Sequence, residues 1–206
     1  MNPEAISQPP SAHTVGEATL GSAGLRERIL SVAYDLFSRR GIRDVGVNEL
    51  IERSGVAKAT FYRHFPSKDS LVLAFLERRD KLWTVDAIVS EAQRRATTPA
   101  EQLLAIFDVF SDWFLRDDFE ACSFVNVLLE MGPTHPLGQA SIDYLAKIRG
   151  HVQALAEAAG LQQPEEFARS MQILMKGSII SATEGDLDAA KRAQRMAGWL
   201  IEHHRA

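Results

Sequence analysis

From Leu25 onward, apolar residues return every three to five positions. Leu25, Ile29, Leu30, Ala33, Leu36 and Phe37 form one stripe, the period of an amphipathic helix, and Gly41 fits its C-terminus because glycine accepts a left-handed cap. Val47, Leu50 and Ile51 mark a short second helix ended by Ser54-Gly55. Val56, Phe61 and Phe65 mark a third. Pro66-Ser67 opens a fourth, with Leu71, Val72, Phe75, Leu76 and Trp83 on its apolar face, and nothing breaks it before Ala87. Thr98-Pro99-Ala100-Glu101 has a Thr cap, a Pro at the first helical position and an early Glu, which together predict a helix start. His135-Pro136 and Gln163-Pro164 predict two more starts, and Gly132, Gly160 and Gly185 predict stops. No segment alternates apolar and polar residues as a strand would. The pattern predicts an all-α chain of about nine helices.

Residues 1–23 lack this periodicity and are rich in Pro, Gly and small polar residues, so they read as a disordered tail. At 206 residues, 46% hydrophobic and 24% charged, the chain has the composition of a soluble globular protein. No apolar run reaches the roughly 18 residues of a membrane span. The N-terminus lacks a secretory pattern. The single cysteine, Cys122, forbids an internal disulfide, in keeping with a cytoplasmic setting. The net charge of −4 argues against a general polyanion binder, but its distribution is uneven. Residues 21–80 hold 11 Lys and Arg against 8 Asp and Glu, whereas residues 81–206 hold 12 against 17. Only one region is suited to meet a polyanion.

That region contains "SGVAKATFYRHFPSKDSL", residues 54–71. Two short helices joined at Ser54-Gly55-Val56 form a helix-turn-helix candidate. On a helical wheel Phe61 points to the core, with Phe65 beyond it as a second anchor. Lys58, Ala59, Tyr62 and Arg63 gather opposite, with Thr60 and His64 at the borders. Arg and Lys can bond guanine edges, and Thr offers a hydroxyl or a methyl group. Lys68 opens the next helix, where a cation opposes the helix dipole, and phosphate binding would explain it. A solvated polar face is also the default for any surface helix, so wheel geometry leaves both readings open.

The stretches "ERILSVAYDLFSRRGI" and "VNELIERSGVAKATFYRHFPSKDSL" resemble the DNA-binding domain of the tetracycline-repressor (TetR) family of transcription regulators. The resemblance covers about a quarter of the chain closely. It implies residues 24–70 as the helix-turn-helix DNA-binding domain and residues 71–206 as a helical ligand-binding and dimerisation domain. It also implies a homodimer that binds a double-stranded DNA operator and a small molecule of unknown identity. By that similarity Lys58, Ala59, Thr60 and Arg63 face base edges. Tyr62, His64 and Lys68 hold the phosphate backbone, with Arg43 and Asn48 as further phosphate contacts. The chain departs from the family at Val45-Gly46, where members carry a hydroxyl pair, and at Ala59, where glycine is frequent.

In the C-terminal body, Phe107, Phe110, Trp113 and Phe114 concentrate aromatic surface on one helix, and Phe124, Met131, Tyr144, Met171 and Met175 follow. Any one of them suits a packed core. Together they also suit the wall of an apolar cavity. The expected ligand site is Phe107, Phe110, Trp113, Phe124 and Met175, with Asn126 and His135 as polar anchors, although a helix cap explains His135 as well. Glu130 and His135 are too few for a metal site, and no metal or other cofactor is expected. Cys122 reads as a small buried hydrophobe, and His203-His204 as a solvated helix end. The small residues of the last helix, among them Ala189, Ala190, Ala193 and Ala197, predict close packing, with the last two helices as the homodimer interface. No Gly-rich phosphate loop or nucleophile elbow suggests an enzyme. The expected function is a repressor released from a palindromic operator by a hydrophobic ligand. An all-α interaction adaptor is the alternative, and an enzyme without a recognisable motif a weaker one.

Overall fold

A computed structural model describes residues 21–205. Its elements are α1 (Ser22–Arg40), α2 (Val47–Ser54), α3 (Lys58–His64), α4 (Lys68–Arg79), a π-helical stretch (Asp80–Val89), α5 (Ser90–Arg95), α6 (Pro99–Phe114), α7 (Ser123–Met131), α8 (Pro136–Ala158), α9 (Pro164–Thr183) and α10 (Ala189–His203). With α4, the π stretch and α5 counted as one continuous rod, the described residues form nine helices. The starts predicted at Thr98, Pro136 and Pro164 are observed. Thr98 accepts the Glu101 N–H, and Glu101 returns the bond to the Thr98 N–H, so the two close a reciprocal cap. Ser67 and Ser70 do the same at the start of α4. The expected tail lies outside the described residues except for positions 21–23, of which Ser22 and Ala23 already belong to α1.

Two apolar cores hold the molecule. The first joins Ile29, Phe37, Leu50, Phe61, Leu71 and Phe75 to Phe124, Val127, Leu137 and Leu145 of α7 and α8. The second fills the body around Phe107, Phe110, Phe167 and Met171. Cys122 and Ile148 pack against both. The domain boundary expected at residue 70 therefore cuts through a helix and through a core. Leu71, Val72, Phe75 and Leu76 face the first three helices, because an amphipathic stripe continues across that position. The two predicted units share apolar material.

The rod from α4 to α5 departs from a regular helix. Over Asp80–Val89 it widens into π geometry, with i→i+5 bonding. Asp80, nearly buried, is held by Lys147 of α8. Further along the chain, α10 presents Ala189, Ala190, Ala193, Ala197 and Ile201 to its own body. These small residues do permit close helix approach, but inside one chain, so Ala193 is removed from the expected interface. The opposite faces remain in solvent: Ile173 and Ile180 on α9, Met196 and Trp199 on α10, with Trp199 71% exposed. His204 is not a solvated end either. Its Nδ1 lies 2.7 Å from the Gln162 carbonyl oxygen and its ring stands edge-on to Phe167, tying the end of α10 to the turn before α9.

Candidate functional site

The α2–α3 unit is built on a left-handed glycine. Gly55 has φ 61° and ψ 29° and ends α2, a conformation that costs glycine no steric clash. The Ser54 hydroxyl donates to the Leu50 carbonyl oxygen at 2.6 Å and closes the turn. Val56, Phe61 and Phe65 sink into the first core and fix the rotation of α3. Lys58, Ala59, Tyr62 and Arg63 are consequently exposed on one side, and Thr60 and His64 are half-buried at its edges. Arg43 and Asn48 are also exposed. The His64 Nε2 is enclosed without a hydrogen-bond partner, so a phosphate contact through that nitrogen would require the ring to turn. Gly46 caps α2 with no side-chain bond, as expected where the hydroxyl pair is absent.

Lys68 is half-buried at the start of α4, where burial lowers its pKa while Glu130 and Asp69 favour its charge. The Glu130 carboxylate is the centre of this corner. It accepts from the Ile42 N–H at 3.0 Å and the Arg43 N–H at 2.8 Å, tying α7 of the body to the turn between α1 and α2. Gly41, at φ 78°, makes room for it: a Cβ there would collide with Glu130 Oε1. The sequence offered Glu130 only as half of a pair too small for a metal site; its hydrogen-bond partners lie 87 and 88 residues away.

A narrow cavity lies where the rod, α6, α7, α8 and α9 meet; its volume is about 60 Å³, and the empty space reaches about 550 Å³ only when its opening to solvent is counted. Phe110, Trp113, Phe124 and Met175 line it, as expected. Phe107, Asn126 and His135 do not. Phe107 is fully buried against Phe110 in the body core. Asn126 lies one turn into α7, its N–H bonded to the Cys122 carbonyl. His135 caps α8, its Nδ1 accepting the Leu137 N–H at 3.2 Å, so the helix-cap reading explains it. The other walls include Arg79, Trp83, Thr84, Ile88, Cys122, Ser123, Gln172 and Lys176. Of the π stretch, Trp83, Thr84 and Ile88 line the cavity.

Two cations sit in this apolar wall. The Arg79 guanidinium is 4% exposed, donates to the Tyr34 hydroxyl at 2.9 Å, lies 4.7 Å from the Trp83 ring centre and approaches Glu120 at 3.7 Å. Burial raises the Glu120 pKa and Arg79 opposes that shift. Lys176 has no ion pair with a described carboxylate; burial lowers its pKa most, Cys122 opposes that shift and Arg149 adds to it. Burial pushes the Cys122 thiol up, with Lys176 and Arg79 among the groups that oppose the shift. The Trp113 Nε1 is buried with no acceptor.

The sequence family of bacterial regulatory proteins, tetR family, matches residues 29–75. A TetR-family regulator from Streptomyces coelicolor has the same fold at a TM-score of 0.80, with 24% identity over 88% of this chain and 90% of that one. A TetR regulator from Streptomyces avermitilis reaches 0.77, with 26% identity over 87% and 97%. This chain belongs to the TetR family. The transcriptional activator FasR of Mycolicibacterium smegmatis is 36% identical over 95 residues, 45% of this chain and 41% of FasR. This TetR-family chain thus matches less than half the length of FasR. The family is not enzymatic, and no described helix is long and apolar enough to cross a membrane.

Proposed function

We propose that the chain is a dimeric transcription regulator that grips a two-fold DNA operator through α3 and releases it when a small apolar molecule occupies the body cavity. The observation that carries this reading is α7. Ser123 and Phe124 at its start line the cavity, and Glu130 near its end bonds the α1–α2 turn. One short helix joins the two sites, so a molecule pressing on Phe124 acts on the head through Glu130. A ligand shifts such an equilibrium only by its different affinity for the two arrangements.

In this reading Lys58, Ala59, Thr60 and Arg63 meet base edges, while Arg43, Asn48, Tyr62, His64 and Lys68 meet phosphates. Two copies pair through the exposed apolar stripes of α9 and α10, since clustered exposed apolar surface favours association. A paired protein places two α3 helices about 34–36 Å apart on successive major grooves. The test is selection of binding sequences from random duplex DNA, followed by salt-titrated anisotropy with wild type and Trp199→Arg. A two-fold consensus, with steep salt dependence, is expected. Trp199→Arg should sediment as monomer and lose most operator affinity. Recovery of no consensus, or one without two-fold symmetry, defeats the operator reading. A dimeric Trp199→Arg with normal DNA binding removes this face from the interface.

A further inference from the structure

The described lining of the cavity contains no Asp or Glu, yet it holds Lys176 and Arg79. Arg79 already has Tyr34, Trp83 and Glu120 as partners. Lys176 has no described carboxylate partner and has Arg149 as a like-charged neighbour. A cation is costly in an apolar wall unless an opposite charge joins it. The Trp113 indole N–H is a second unused donor, on a side chain 5% exposed. The Gln172 amide, by contrast, is occupied: its Nε2 donates to the Leu145 carbonyl at 2.6 Å. The remaining surface is mostly aromatic and aliphatic, with Trp83, Ile88, Phe110, Phe124, Leu145 and Met175, and carries the Thr84 and Ser123 hydroxyls and the Cys122 thiol among them.

We infer that the cavity takes an apolar monocarboxylate, its chain or ring against the aromatic wall and its carboxylate held by the Lys176 ammonium, with the Trp113 N–H and Arg79 as further donors. The inference rests on the cavity being the effector site and names the ligand class that fits it. An anionic head satisfies what the wall leaves unmatched, namely a partly desolvated positive charge and an N–H donor. A neutral alcohol would meet the N–H or the Thr84 and Ser123 hydroxyls but leave the cations without an opposite charge, and an amine would add a third positive charge. Charge-assisted hydrogen bonds are about twice as strong as neutral ones, so the preference should be large.

The test uses the full chain and two sets of probes: decanoate, 1-decanol and decylamine, then 2-naphthoate, 2-naphthol and 2-naphthylamine. Binding is followed by calorimetry and by the fluorescence of Trp83 and Trp113. We expect the carboxylate of at least one set to bind ten-fold or more tightly than its alcohol, and the amine to bind weakest. Lys176→Met should erase the carboxylate preference and leave alcohol binding unchanged, whereas Lys176→Arg should keep the preference. If Lys176→Met fails to fold, the wild-type ranking and Lys176→Arg decide. Equal binding of carboxylate and alcohol in both sets overturns the anion assignment and leaves the cavity standing as an apolar site. A preference that persists in Lys176→Met overturns the role of Lys176. Failure of all six probes to bind removes the cavity as effector site, and the inference with it.

Discussion

Positive charge is used in two opposite ways in this protein. On the α3 face, Lys58 and Arg63 stand in water above a buried platform of Val56, Phe61 and Phe65. Their charge is exposed to water and is felt over about a Debye length, roughly 8 Å at physiological ionic strength. In the cavity, Lys176 is partly desolvated against Met175, Phe124 and other apolar groups. Its charge is partly withdrawn from water, so it is felt most by a molecule that enters and is less screened by salt than the surface charges. The first arrangement suits a long, repeating polyanion that is approached from outside. The second suits one small anion that must be told apart from neutral molecules of similar shape.

The comparison is broken most forcefully at the supports. Phe61→Ala removes a fully buried ring beneath α3 and should cost about 3–5 kcal/mol, read as a fall in the denaturant midpoint. Met175→Ala removes a wall that already borders open space, and should sit near the low end of its class, about 2 kcal/mol. A larger loss at Met175 would mean that the cavity wall is packed as tightly as the head.

Next come the charges themselves. Arg63→Ala should relax one position in each half-site, because a bidentate contact to guanine is worth about 1–3 kcal/mol of discrimination. Lys176→Met should leave operator affinity in the absence of ligand unchanged. If the selected consensus is identical for Arg63→Ala and wild type, Arg63 holds only phosphate.

The link between the two regions is a smaller term. Glu130→Ala removes two hydrogen bonds to a charged acceptor at a half-exposed site, worth about 1 kcal/mol after screening. Operator binding and cavity binding should each survive within a few-fold, while ligand-driven release of DNA weakens. Release at wild-type ligand concentration would place the coupling elsewhere, for example in the rod formed by α4 and the π stretch.

The smallest effect sharpens the contrast best. Arg43→Ala should reduce the slope of log affinity against log salt by roughly 0.9 for one lost phosphate contact. Carboxylate binding at Lys176 should have a slope well below that in the same salt range. Equal slopes would mean that the cavity charge is as hydrated as the surface one.

The α3 face was legible in the sequence because a single helix carries it. Once Phe61 and Phe65 point inward, 3.6-residue geometry assigns Lys58, Ala59, Tyr62 and Arg63 to the other side. Helix starts at Thr98, Pro136 and Pro164 were legible for the same local reason. The cavity is assembled from the rod and four further helices, and no short-range pattern encodes which residues meet there. Lys176 looks like an ordinary polar position of α9. The π geometry over Asp80–Val89 is not foreseen by periodicity read as a regular helix. Glu130 finds partners most of a hundred residues away, and the alanines of α10 fit an internal contact as well as an external one.

Phe124, Val127, Leu137 and Leu145 complete the core beneath the helix-turn-helix. The head is therefore not a module that can be moved by cutting at residue 70. A chimera that joins residues 21–70 to another body would inherit the DNA-reading surface but lose the floor on which it stands. A transplant that works must bring those four side chains, or close volume matches, from the body as well. The same continuity should make heating melt the head and body in one calorimetric step.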